Sequence, residues 1–290
     1  SKKRWQKTLP VFYLLALIVV TWVGIFAVRL AGPPNIGDND QERPAAYVLD
    51  VLVNGDWIVQ RDDTGDITSK PPLYTWVTAL TAKAYGKLDE FSLYLPGALC
   101  VLIVALLIHV IGESYFGRNA GAAGALAYLL SIAAFKQAHL ARTDALFALT
   151  VVVTAILAYA AARRRVSWTW FWFAAALSTL TKGPLGVLLA AGALIGLIGA
   201  EKGQKRDPMP APLLVRHLPG IVLFLLLCGG WFLLAYLKAG DDLIDKMIGK
   251  ELVGHAVESG SGQKPLEGFY KPTLYFLSRF LPWSLFTFVG

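Results

Sequence analysis

Long apolar runs separated by short polar segments limit what this chain can fold into more than any other feature. A hydrocarbon layer about 30 Å thick is crossed by a helix of about 20 mostly apolar residues, which pairs its backbone N–H and C=O groups internally. Such runs lie at 9–30, 92–111, 120–138, 144–162, 168–181, 184–200, 213–237 and 273–290, predicting an all-α membrane protein of about eight transmembrane helices. The runs 168–181 and 184–200 are short and separated only by Thr181, Lys182, Gly183 and Pro184, a pattern of either a tight helical hairpin or one broken helix.

Composition excludes the competing soluble fold. With 56% hydrophobic and 16% charged residues, and a mean hydropathy of +0.53, the chain has too little charge to clothe a large soluble core. A net charge of +7 could point to nucleic acid, but the basic residues fall in short clusters between apolar runs, the pattern of a topology signal. Cys100 and Cys228 lie inside apolar runs and form no disulfide framework or zinc spacing. The first run follows a basic segment but is too long for a signal-peptide core and lacks a small-x-small cleavage site, so it reads as a retained anchor. The sequence ends at or inside an apolar run, Phe286 to Gly290, which suggests a longer natural protein.

Orientation follows from the basic clusters. Lys2, Lys3, Arg4 and Lys7, then Arg163 to Arg165, then Lys202, Lys205 and Arg206 fall on one side if every run spans, and that side is cytoplasmic by the positive-inside rule. The segments 31–91, 139–143, 181–184 and 238–272 then face outward. An odd number of spans within 168–200 would break the agreement, which favours the hairpin.

The first outer segment is patterned. Pro44 in a first turn, Ala45, Val48, Leu49 and Leu52 at helical spacing, and Gly55 as a stop predict an amphipathic helix over about 42–54. A second is predicted to open at Lys70-Pro71-Pro72, with Leu73, Trp76, Val77, Leu80 and Ala84 on its apolar face. Both are expected to lie on the membrane, with Trp57, Tyr74 and Trp76 in the interfacial belt.

Chemistry concentrates on this outer side. Asp38 and Asp40 precede the first amphipathic helix, where a carboxylate could serve as a general base or, more commonly, Asp40 could cap the helix. Lys70, at the expected start of the second helix, combines an ammonium with helix amides as an anion site; snorkelling to headgroups is the competing reading. His139, Arg142 and Asp144 lie between the third and fourth runs, where a simple Arg142–Asp144 pair is the commoner fate, and Lys182 sits on the outer hairpin turn. Glu251, His255, Lys264 and Tyr270 fall among glycines and serines in 238–272. Topology gathers Asp40, Lys70, Arg142, Asp144 and Lys182 on one face of the membrane.

At these residues the chain resembles the bacterial relatives of protein O-mannosyltransferases, the superfamily that includes 4-amino-4-deoxy-L-arabinose lipid A transferase. The resemblance runs through Asp40-Gln41, Arg43, Gly55-Asp56-Trp57, Lys70-Pro71-Pro72, Arg142-Thr143-Asp144, Lys182-Gly183-Pro184 and Leu281-Pro282-Trp283-Ser284, in order over nearly the whole chain. It implies a GT-C fold and an N-terminal transmembrane catalytic region, 1–290, of a longer glycosyltransferase, with 238–272 as a mobile outer loop over the donor cavity. It also implies Asp40 and Asp144 as catalytic carboxylates, with Lys70, Arg142, Lys182, His255 and Lys264 around the donor phosphate. Gln41 replaces the second acid of the family's Asp-Glu pair and Ser69 stands where some relatives have Glu near a metal, which leaves a divalent metal an open question.

The expected activity is transfer of a sugar from a polyprenyl-phosphate donor to lipid A, a glycan or a protein, at the periplasmic face of a bacterial inner membrane, with membrane lipids but no nucleic acid as partners. The rivals are a transporter or flippase of lipid-linked substrates and a scaffold without chemistry. A transporter predicts charge near the bilayer midplane, whereas Lys136, His139 and His109 lie nearer the ends of their runs.

Overall fold

The computed structural model describes residues 10–37, 40–202, 214–247 and 265–288. Among these residues the fold is helical, and its one extended feature is an antiparallel bridge between Arg61 and Ile67. Two compact units share the chain: Ser1–Asn35, Tyr94–Leu140 and Gly262–Gly290 form one, and Ile36–Leu93 with Ala141–Ser261 the other.

In the first unit, α1 (Val11–Ala31) is apolar around its circumference yet buries only one stripe, including Leu14, Ile18, Ile25 and Phe26. Phe12, Leu17, Val20, Val23 and Val28 are exposed. A helix in water would carry polar groups there; an apolar outer face belongs to a helix whose solvent is lipid. Trp22 Nε1 donates to the carbonyl of Ala98 at 2.7 Å, tying α1 to α4 (Glu90–Phe116).

The predicted run 120–138 is two helices, α5 (Arg118–Leu129) and α6 (Ile132–Ala138). Ser131 breaks it because its hydroxyl caps the second helix, accepting the N–H of Ala134 at 3.2 Å. Gly121 lets α5 approach α4 so closely that a Cβ there would overlap the backbone of His109 and Glu113. The last predicted run also differs: α12 (Pro265–Arg279) begins earlier and stops before Pro282, which cannot donate to a helix and disfavours helical backbone before it, leaving a 3₁₀ segment over Trp283–Phe288.

In the second unit, α7 (Thr143–Ala162) packs on both α8 (Trp168–Lys182) and α9 (Leu185–Lys202). Ala174, Ala175 and Ala176 are buried on α8, and Gly186 meets Ser178 across the turn, as small residues permit close helix approach. Gly183, at φ 81°, makes that turn, so 168–200 is a hairpin. The next helix, α10 (Leu218–Ala239), has a π turn over Leu225–Gly229, seats Gly220 against Trp172, and leads into α11 (Asp241–Ile244).

Among the described residues four helices, α1, α4, α7 and α10, are long and apolar enough to cross a membrane. Of the other predicted spans, α8 has 15 residues and the apolar part of α9 is Leu185–Gly196.

The outer segment forms α2 (Glu42–Val53) and α3 (Leu73–Tyr85), which pack together through Val48, Val51 and Ala79. On α3 the buried side is Tyr74, Thr75, Thr78, Ala79 and Ala82, whereas Leu80 is 56% exposed. Of the predicted apolar stripe, Leu73 and Trp76 are half-buried against the cluster of Val59, Ile67, Leu180 and Trp231, so only its end at Leu80 and Ala84 is exposed.

Candidate active site

Between α2 and α3 the chain forms a short antiparallel turn whose shape comes from its own polar atoms. The Asp62 carboxylate accepts from the Thr64 hydroxyl at 2.6 Å and from the N–H groups of Thr64 and Asp66. Burial raises its pKa, but the hydrogen bonds outweigh this and hold the carboxyl below its ordinary value. The N–H of Thr68 donates to Gln60 at 2.8 Å, closing the turn.

Val59 and Ile67 from this turn pack with Leu180 of α8, Trp231 and Ala235 of α10, and Leu243 of α11. Trp231 Nε1 donates to the carbonyl of Ile58 at 3.1 Å. Lys238 pairs with Asp56, and Lys246 with Asp66 at 2.5 Å. The strand leaving the turn, Thr68-Ser69-Lys70, is therefore anchored before it reaches the site.

Lys70 is not at a helix start. Helix α3 opens at Leu73 with Pro72 as its N-cap residue. Lys70 is held instead by Thr68, whose hydroxyl donates to the Lys70 carbonyl at 2.8 Å and accepts its N–H at 3.3 Å. The residue before a proline favours extended backbone, and Pro71 keeps the helix from beginning at Lys70. Its ammonium acts as a point charge without the amides of a helix terminus.

Asp40 does not cap α2. The N-cap residue is Gln41, in helical conformation and with no side-chain capping bond. Asp40 is exposed and lies at φ 56°, in the left-handed region that costs most L-residues energy but that Asp and Asn tolerate best. Gln41 is fully buried, and its Oε1 accepts the N–H of Ala141 at 2.8 Å, fastening the start of α2 to the residue before Arg142. Gln41 thus serves as a backbone clamp.

These elements enclose a cavity of about 340 Å³ within the second unit. Its wall contains Asp40, Lys70 and Arg142 of the sequence-predicted residues, with Arg43, Pro44 and Tyr47 from α2, Thr68, Ser69 and Pro71 from the anchored strand, Tyr74 and Thr75 from α3, and Thr143 from α7. The wall carries three cations, one carboxylate and several hydroxyl groups, a composition suited to an anion bearing hydroxyl groups.

Asp144 and Lys182 do not line this cavity. Asp144 Oδ1 accepts from Lys182 Nζ at 2.5 Å, and its Oδ2 lies 3.5 Å from Arg142 Nε. His255, Lys264 and Asp38 lie outside the described residues. His139 belongs to the first unit, where burial lowers its pKa and its Nδ1 sits 2.7 Å from the Phe135 carbonyl oxygen. Among the described residues no three His, Cys, Asp or Glu side chains converge to hold a metal ion.

Sequence reasoning passed over Tyr47 and assigned Tyr74 to the interfacial belt, whereas Tyr74 is buried; the two follow Arg43 and Lys70 by four residues. For Arg43 and Tyr47 that helical spacing was a usable signal. The Gly55-Asp56-Trp57 motif has an architectural place: Asp56 pairs with Lys238, and the Trp57 carbonyl accepts Trp76 Nε1 at 2.6 Å.

Two solved structures share this fold: ArnT from Cupriavidus metallidurans bound to undecaprenyl phosphate, with a TM-score of 0.72, and the same protein in the apo state, at 0.70. Each is 22% identical and aligns with 93% of this chain, but with 49% and 48% of its own length. The fold is GT-C.

Two uncharacterized proteins of Aquifex aeolicus are similar in sequence, at 29% identity over 71% of this chain and 26% over 62%. The chain spans 45% and 35% of their lengths, less than half of either. The pattern of the dolichyl-phosphate-mannose-protein mannosyltransferase family matches residues 69–231, which run from the anchored strand beside Lys70 to Trp231 in α10. That match covers more than half of the chain, and the chain therefore belongs to the dolichyl-phosphate-mannose-protein mannosyltransferase family.

Proposed function

We propose that this chain is the N-terminal catalytic region of a membrane glycosyltransferase that moves a sugar from a polyprenyl-phosphate donor to an acceptor hydroxyl at the periplasmic face of a bacterial inner membrane. The observation that carries the reading is the cavity whose wall holds Arg43, Lys70 and Arg142 together with Asp40. Family membership supports sugar transfer, and the undecaprenyl phosphate bound by ArnT supports a polyprenyl-phosphate donor. The basic clusters of the cytoplasmic loops support the periplasmic placement.

The acceptor oxygen attacks the anomeric carbon as the bond from that carbon to the phosphate oxygen breaks. The acceptor proton passes to the Asp40 carboxylate, and the bonding pair leaves with the polyprenyl phosphate, with inversion at the carbon. The phosphate goes from a singly charged diester toward a doubly charged monoester as it leaves. Fixed cations at Lys70, Arg43 and Arg142 therefore interact more strongly with the transition state than with the bound donor.

Transfer of radiolabel from polyprenyl-phosphate sugars, by membranes containing the full-length protein, tests the reading. Label in lipid A, a glycan or protein that depends on the protein and on Lys70 supports it; no transfer from any such donor would sink it.

A further inference from the structure

We infer that Asp144 and Lys182 are positioning residues that hold Arg142 as a fixed cation in the cavity wall, an assignment that rests on reading the cavity as the donor-phosphate site. Arg142 lines the cavity and immediately precedes α7, with extended backbone at φ −138° and ψ 160°. Nothing in that backbone fixes the guanidinium, which sits on a long flexible stem.

Asp144, in the first turn of α7, supplies the constraint. Its two carboxylate oxygens are divided, Oδ1 to Lys182 Nζ at 2.5 Å and Oδ2 toward Arg142 Nε at 3.5 Å. A carboxylate engaged on both oxygens is poorly placed to take an acceptor's proton, because it would have to give up its ion pairs to do so. Asp40, by contrast, is exposed and lines the cavity.

Lys182 explains how Asp144 can hold Arg142 without cancelling it. One acid facing one base leaves a neutral pair, in which a phosphate must compete with Asp144 for the guanidinium. With Lys182 added, the three side chains carry one net positive charge. Lys182 belongs to the last turn of α8, Gly183 turns the chain directly after it, and its ammonium stands 5.7 Å from the centre of the Phe147 ring on α7. The hairpin thus delivers the second cation to Asp144 from a different helix than the one Arg142 begins.

Binding of undecaprenyl phosphate to the full-length protein tests this, because it needs neither the sugar nor the acceptor. Arg142→Ala should weaken binding. Asp144→Asn should weaken it about tenfold although it makes the cluster more positive, and Asp144→Glu should recover most of the loss. In an Arg142→Ala background, Asp144→Asn should have no further effect, a non-additivity that a general loss of stability would not produce. Lys182→Met, which keeps the Asp144–Arg142 contact, should also weaken binding in the Arg142 background and not in its absence. It carries the test should Asp144→Asn fail to fold. Equal or tighter binding by Asp144→Asn, or effects that multiply with Arg142→Ala, would overturn the positioning role while leaving the cavity reading intact. Unchanged binding by Arg142→Ala would overturn the cavity reading itself.

Discussion

Asparagine at position 40 would remove a carboxylate while disturbing little else. Asp40 stands at φ 56°, a backbone conformation that Asn enters as readily as Asp, so the turn leading into α2 is retained. No cap is lost, because Gln41 occupies the N-cap position and makes no side-chain capping bond. The side chain is exposed, and the stability change should stay within about 0.5 kcal/mol, as for an ordinary surface substitution. Loss of a general base costs about 10²–10⁴ in rate, or about 2.7–5.4 kcal/mol at 1.36 kcal/mol per tenfold. The two scales differ enough to be read separately. Transfer of radiolabel by full-length Asp40→Asn in membranes should fall by at least about 10², with thermal unfolding and undecaprenyl phosphate binding close to the parent. Asp40→Gly, which also fits a positive φ, should be as inactive and as stable. Asp38→Asn should keep most of the rate. Transfer by Asp40→Asn near the parental rate would refute the assignment of the base, and a large fall in stability would show that the carboxylate serves the fold.

Lys70→Ala should weaken undecaprenyl phosphate binding by about tenfold or more, whereas Lys83→Ala, whose ammonium lies 5.4 Å from the Trp57 ring centre and outside the cavity wall, should change binding less than threefold, about the scale of a lost exposed cation–π contact. Equal effects would make Lys70 a headgroup anchor. Trp231→Ala removes a side chain only 6% exposed together with its bond to the Ile58 carbonyl, so a loss of about 3–5 kcal/mol is expected from thermal or denaturant unfolding; a loss below about 1 kcal/mol would show that the anchored turn does not depend on it. A single cysteine at Asp63, on the exposed turn, should react with a membrane-impermeant thiol reagent from the periplasmic side, and one at Arg165 only after the cytoplasmic face is opened. The reverse labelling pattern would invert the proposed topology.

Hydropathy alone determined that this chain is helical and membrane-bound, since a bilayer demands internally paired backbone and apolar surface wherever lipid is the solvent. It also located α2 and the 168–200 hairpin, because Pro44, Gly55 and Gly183 mark boundaries through backbone chemistry that does not depend on the rest of the fold. Tertiary structure decided which residues meet. Periodicity gave α3 an apolar stripe but could not say that Leu73 and Trp76 pack on protein while Leu80 on the same stripe is exposed, because that depends on which elements lie beside the helix. The break at Ser131 was equally hidden, as a serine in an apolar run reads like any other residue until its hydroxyl is seen to cap a new helix. Asp144 and Lys182 are 38 residues apart and Gln41 and Ala141 are 100 apart, separations at which spacing carries no information about contact. Charge type and side of the membrane brought Asp40, Lys70, Arg142, Asp144 and Lys182 together in the sequence; the packing of α7, α8 and the anchored turn divides them into three that line the cavity and two that stand behind it, because only packing sets the direction in which each side chain points.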